Sequence, residues 1–122
     1  MSRQILIVDD SRLSRMISRQ CILSLHADWR IEEATTGEEA IEKAATTHPW
    51  LILLDVNMPG MGGLAAAAIL RESHPDAHIV LLTANVQHSV QAQADRLGLG
   101  FLAKPIKEPQ IHAMLSGLES NV

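Results

Sequence analysis

Three unbroken aliphatic runs, Ile5-Leu6-Ile7-Val8, Leu51-Ile52-Leu53-Leu54 and Ile79-Val80-Leu81-Leu82, constrain the fold of this chain more than any other feature. A strand with one face in water alternates apolar and polar side chains, whereas a strand covered on both faces has no reason to. Runs this short are strands rather than buried helices, and the stretches between them have helical character. Helices packed on both faces of a parallel sheet are what bury such strands. Ile31-Glu32-Glu33-Ala34 is half polar and Gly100-Phe101-Leu102-Ala103 is short, as suits edge strands. Candidate helices near 11–25, 37–47, 63–73, 86–97 and 108–118 complete the alternation. The expected fold is α/β, a doubly wound five-stranded parallel sheet with five helices. Placing the weak strands at the edges gives the order 2-1-3-4-5.

Several boundaries have local causes. Thr36 and Glu39 make a capping box, each side chain accepting from a backbone N–H that the helix leaves unpaired. Gly98 can close the fourth helix in the left-handed conformation, and Pro109 suits the first turn of the fifth. Val86, Val90, Ala94 and Leu97 share one helical face, as do Ile111, Leu115 and Leu118. Cys21 follows Leu13 and Ile17 at helical spacing, which predicts a buried thiol. The Ala65–Ala68 run leaves the packing face of the third helix open. Arg12, Arg15 and Arg19 form a basic stripe on the first helix, expected to be solvated or used by a protein partner.

With 122 residues the chain is expected to make one domain over 1–122. Ten basic and 14 acidic side chains leave a net charge of −4, the wrong sign for direct nucleic-acid binding. No window approaches the ~20 apolar residues of a membrane span, and only four apolar residues follow Gln4, too few for a signal-peptide core. A lone Cys21 fits a reducing, cytoplasmic setting.

In sheets of this kind ligands bind beyond the carboxyl ends of the strands. Strand one runs into Asp9-Asp10-Ser11, strand three into Asp55-Val56-Asn57, strand four into Thr83-Ala84-Asn85 and strand five into Lys104-Pro105. Three carboxylates on neighbouring strands repel one another unless a cation sits among them. Oxygen ligands with room for water and a phosphate suit Mg²⁺ better than zinc. The six histidines, at 26, 48, 74, 78, 88 and 112, show no ligand clustering, and Pro75 breaks any helix joining His74 to His78.

These motifs together resemble the receiver domain of two-component response regulators. They are Ile7-Val8-Asp9-Asp10-Ser11, the Leu53–Gly63 segment around Asp55, Leu82-Thr83-Ala84 and Phe101-Leu102-Ala103-Lys104-Pro105. The resemblance implies a flavodoxin-like fold and a chemotaxis-type signalling domain that is not an enzyme in the ordinary sense. Asp55 would accept a phosphoryl group from a phosphohistidine. Asp9, Asp10, Asp55 and the backbone carbonyl of Asn57 would hold Mg²⁺. Lys104 and Thr83 would contact phosphoryl oxygens, Thr83 and Phe101 would form the switch, and the Lys104–Pro105 bond would be cis. Partners implied are a sensor histidine kinase or histidine phosphotransfer protein and a downstream protein target, met by a monomer or weak dimer. Gln87, Gln91, Asp95 and His112 would lie on the output surface. Three departures from the family pattern are Phe101 where Tyr is frequent, Trp50 at the start of strand three, and the alanine run. A phosphate-relay intermediate is the alternative within this chemistry. A small aspartyl-phosphate hydrolase of dehalogenase-like type would want a second Asp where Asn57 stands.

Overall fold

The structure, a computed structural model, describes residues 3–58, 60–84 and 88–120. Its elements alternate strictly: β1 (Gln4–Val8), α1 (Arg12–Leu25), β2 (Arg30–Ala34), α2 (Gly37–Thr47), β3 (Leu51–Asp55), α3 (Gly62–Ser73), β4 (His78–Thr83), α4 (His88–Leu97), β5 (Gly100–Ala103) and α5 (Glu108–Ser120). The sheet is parallel throughout, in the order β2-β1-β3-β4-β5. The two polar or short strands are the edges.

The aliphatic runs divide with the two-residue period of a strand. Leu6, Val8, Ile52, Leu54, Ile79 and Leu81 face one core with Ala40, Ala44, Ala66, Ala67, Leu70 and Ala94, from α2, α3 and α4. Ile5, Ile7, Leu51, Leu53, Val80 and Leu82 face a second core with Ile22, Trp29, Ile111 and Leu115, the side covered by α1 and α5. The continuous runs are therefore two interleaved apolar faces, each with its own helical layer. The alanine run resolves in the same way: Ala66 and Ala67 are buried beside Gly63 and Leu70, while Ala65 and Ala68 are exposed.

Three expectations need correction. Cys21 is buried as expected, but its companions on the buried side of α1 are Ser18 and Ile22, while Leu13 and Ile17, whose spacing suggested that side, are 61% and 37% exposed. Steps of four drift about 40° on a helix with 3.6 residues per turn, so Leu13 ends on the far side of the seam that Cys21 enters. Of the basic stripe, Arg12 is exposed and Arg19 is 43% exposed, as a solvated face requires, but Arg15 is largely covered, and both Arg15 and Arg19 are paired with Glu33 of β2, at 2.8 and 3.2 Å. His112 turns away from the output surface toward α1, where its Nε2 lies 3.2 Å from the Cys21 carbonyl. A carbonyl only accepts, so Nε2 donates there.

At α2 the Thr36 hydroxyl accepts from the Glu39 N–H as expected, but Glu39 reaches back to the Thr35 N–H, one residue earlier than a standard box. Gly98 is left-handed at φ 71°, and Pro109 lies in the first turn of α5. Val90 and Ala94 are buried, with Leu97 packed against the core that holds Ala94; Asn85, Val86 and Gln87 lie outside the described residues, as does Pro59 of the second motif.

Gly63 is the tightest join between α3 and the sheet. A Cβ there would run into the Asp55 carbonyl oxygen and lie 2.7 Å from the Val56 Cα, both backbone. Gly63→Ala is thus expected to cost roughly 1–3 kcal/mol by overpacking, read from urea denaturation. Unchanged stability would show that α3 yields freely.

Candidate functional site

The carboxyl ends of β1, β3, β4 and β5 bring the expected residues to one rim. Pairing of β1 with β3 sets Val8 beside Leu54, so Asp9 and Asp55 follow each other out of the sheet. The Asp9 N–H donates to the Ala34 carbonyl at 3.0 Å and the Val56 N–H to the Leu82 carbonyl at 2.9 Å, continuing the ladders past the strand ends. Ser11 then caps α1, its hydroxyl accepting from the Ser14 N–H, so the chain turns sharply after the acidic pair.

Asp9 and Asp55 are almost wholly buried, at 1% and 4% exposure, whereas Asp10 is exposed. One cation reaches both buried carboxylates: Lys104 Nζ lies 2.8 Å from Asp9 Oδ2 and 3.4 Å from Asp55 Oδ1. Asp9 Oδ1 accepts from the Ser11 N–H at 2.9 Å, and Asp55 Oδ1 accepts weakly from the Asn57 N–H at 3.4 Å. Burial, then the charge of Asp9, raises the Asp55 pKa above its ordinary 3.8, against the pull of Lys104 and Asn57. Burial pulls the Lys104 pKa down, but the hydrogen bond and charge of Asp9, with the charge of Asp55, outweigh it and leave the ammonium above 10.5. The acidic rim is therefore charged, crowded and only partly neutralised.

Asp9, Asp10 and Asp55 can each offer an oxygen, and these oxygens lie within 4.8 Å of one another. An all-carboxylate donor set of this span fits a hard divalent cation such as Mg²⁺. It is the only cluster of three or more such ligands among the described residues, and no histidine takes part.

Thr83 ends β4, 1% exposed, and its carbonyl accepts from the Lys104 N–H at 2.7 Å, joining the hydroxyl-bearing and ammonium-bearing strands. The Lys104–Pro105 peptide is cis. Register pairs Thr83 with Ala103 and Leu81 with Phe101, placing Phe101 diagonally behind Thr83. Phe101 is half-buried against the core that holds Leu81 and Ala94.

One neighbour of the site escaped the sequence reading. Arg15 donates to the Asp9 carbonyl at 2.7 Å while its Nε donates to Glu33, so the guanidinium ties α1, β1 and β2 behind the acidic pair. Its only signal is position, one helical turn after Ser11, since Glu33 is 18 residues away. On α1, Leu13, Met16 and Ile17 are 61%, 47% and 37% exposed. Ile17 also lines a small recess of about 90 Å³ with Ser14, Lys104, Pro105 and Ile106.

A family model described as the response regulator receiver domain matches residues 5–116. The chain is 31% identical over 118 residues to the chemotaxis protein CheY of Halobacterium salinarum, covering 95% of this chain and 96% of that one. It is 38% identical over 80 residues to the response regulator GacA of Pseudomonas protegens, covering 66% of this chain but 38% of the relative. The chain thus spans nearly all of one relative and little more than a third of the other. Among solved structures, the REC domain of AraT, a response regulator from Geobacillus stearothermophilus, superposes with a TM-score of 0.89 at 28% identity, covering 99% of this chain and 95% of that one.

Proposed function

This chain belongs to the response regulator receiver domain family, and from that premise we propose that residues 1–122 form a receiver unit whose Asp55 accepts a phosphoryl group from a phosphohistidine. One observation carries the reading. A buried carboxylate at the end of a central strand stands 3.4 Å from a lysine ammonium, inside an acidic cluster that a divalent cation would fit.

In the transfer, an Asp55 carboxylate oxygen forms a bond to phosphorus as the bond to the donor imidazole nitrogen breaks. That nitrogen keeps the electron pair, and Asp55 becomes an acyl phosphate. Positioning and neutralisation dominate such chemistry, because the nucleophile needs little beyond ionisation and an in-line approach. Lys104 supplies a fixed positive charge for a phosphoryl oxygen, and the Thr83 hydroxyl donates to another. Mg²⁺, held by Asp9, Asp10, Asp55 and the Asn57 carbonyl, would supply the remaining neutralisation. Incubation with acetyl phosphate and Mg²⁺ should add one phosphoryl group to the intact mass. Asp10→Ala should abolish the Mg²⁺-dependent labelling while raising the metal-free melting point, because a repulsive charge is gone. A lower melting point would assign Asp10 a structural role instead.

The donor in this reading is a sensor histidine kinase or a histidine phosphotransfer protein. Ile17 beside Lys104, with Leu13 and Met16 also exposed on α1, supports a donor that docks an apolar surface against α1. The output partner is a protein rather than a nucleic acid, in keeping with the −4 charge. The setting is cytoplasmic and the protein a monomer or weak dimer; no helix among the described residues is long and apolar enough to cross a membrane.

Output runs through Thr83 and Phe101. Phosphorylation adds about one negative charge and new acceptor oxygens, which draw the Thr83 hydroxyl forward. The space behind it lets the Phe101 ring move further inward, a shift between two packings that needs only a few kcal/mol of differential phosphate binding. Beryllofluoride should move amide resonances along β4, α4 and β5, and Thr83→Ala should confine those shifts to the rim around Asp55. Shifts that spread equally far in Thr83→Ala would sink the coupling.

A further inference from the structure

A second cleft lies at the opposite end of the sheet from Asp55, and the phosphoryl chemistry does not use it. It encloses about 640 Å³, against about 90 Å³ for the recess beside Lys104. That falls within the roughly 300–1,000 Å³ of small-molecule sites. Three separate stretches build it: Arg3 before β1, His48 and Trp50 between α2 and β3, and His74 and Asp76 between α3 and β4.

The lining is aromatic and cationic. The Arg3 guanidinium carbon sits 4.1 Å from the Trp50 ring centroid. Arg3 has no carboxylate partner among the described residues. A guanidinium stacked on indole keeps its N–H edge available for a carboxylate or phosphate. Across the cleft the His48 and His74 rings meet edge to face with centroids 5.9 Å apart. His48 is the one non-glycine residue with positive φ among the described residues, at 49°, and it closes α2. Glycine would take that conformation without strain, yet here the position carries an imidazole turned into the cleft. The surrounding field is positive: burial, then Arg71 and Arg3, lower the pKa of His78, whose ring lies 5.1 Å from Trp50. Asp76 is the single acid in the lining.

These features select a class of ligand. His48, His74 and Asp76 do not bring three ligand atoms together, so the cleft is not a metal site. A neutral aromatic would leave the Arg3 charge unused, and a bare anion would leave the imidazole and indole surfaces unused. We propose that this cleft is a second binding site, for a small planar aromatic anion. Arg3 takes its carboxylate or phosphate, and the His48 and His74 rings beside Trp50 take its flat ring.

Two sources share that chemistry, nucleoside monophosphates and aromatic carboxylates, and one experiment separates them. The full chain, labelled for amide and indole NMR, is titrated with adenosine monophosphate, benzoate, inorganic phosphate and benzyl alcohol. Adenosine monophosphate, benzoate or both should move the Trp50 indole N–H and the amides near His48 and His74. Phosphate and benzyl alcohol at equal concentration should move them far less. A response to adenosine monophosphate alone identifies the nucleotide source, and a response to benzoate alone the carboxylate source. Arg3→Gln should weaken binding on the order of tenfold. His48→Asn, which tolerates the left-handed backbone, should weaken it too, while Asp10→Ala at the far rim should not. Equal shifts with inorganic phosphate, no shifts with either aromatic anion, or undiminished affinity in both Arg3→Gln and His48→Asn would overturn the proposal.

Discussion

Asp55→Asn should abolish labelling by acetyl phosphate in the presence of Mg²⁺, a complete loss rather than a slowing. The amide matches the carboxylate in shape but cannot attack phosphorus, and the other buried acid of the rim, Asp9, is held on both oxygens, by Lys104 at 2.8 Å and by the Ser11 N–H at 2.9 Å. The loss will not come from unfolding. Asp55 has its pKa raised by burial and by Asp9, so its ionised form is held in the fold at a cost that asparagine removes. The variant should melt no lower than the parent in metal-free buffer, which makes the two readouts independent. Only the carboxylate attacks, so labelling should climb with pH as Asp55 ionises and then level off, with Mg²⁺ favouring the carboxylate against the burial and the Asp9 charge that raise its pKa. Unchanged intact-mass labelling of Asp55→Asn would remove Asp55 as the acceptor.

How much of this was legible in the sequence depends on how local each cause is. The interior strands were legible because burial on both faces writes itself into consecutive residues such as Leu51–Leu54. The acidic rim was legible because parallel connections deliver every strand end to the same side, so Asp9, Asp55, Thr83 and Lys104 had to converge once the topology was known. Side-chain pairing between distant elements was not. The Lys104–Asp9 ion pair joins residues 95 apart, and Arg15 finds Glu33 across 18. An arginine one turn from the site reads as a solvated stripe until β2 is seen beside α1. The face of α1 failed for a different reason. Leu13, Met16 and Ile17 carry an apolar pattern that competes with the true seam of Ser18, Cys21 and Ile22, and hydrophobicity alone cannot rank two apolar faces. The aromatic cleft needed three loops to be placed together, which no local pattern encodes.

The Lys104 ammonium supports the fold as well as the chemistry. Lys104→Met should cost about 3 kcal/mol in metal-free buffer near neutral pH, read from urea denaturation, because Asp9 and Asp55 are then left buried without a counter-charge. The sign of its pH dependence follows from the two shifts. Lys104 is raised above 10.5, so its contribution to stability is fully present below that value and fades as pH climbs through the folded-state pKa. Asp55 is raised above 3.8, so the penalty for burying its charge is present at neutral pH and relieved as acid protonates it in the fold. The gap between parent and variant should therefore be widest around neutrality and narrow toward both extremes. Two further measurements separate charge from packing. Mg²⁺ should recover much of the lost stability by mass action, since a bound cation replaces the missing one. Adding Asp9→Asn to Lys104→Met should also recover stability, because one unpaired carboxylate is gone. A double variant as unstable as the sum of the two single changes, with no recovery by Mg²⁺, would mean that Lys104 matters through the packing of its alkyl stem and not through its charge.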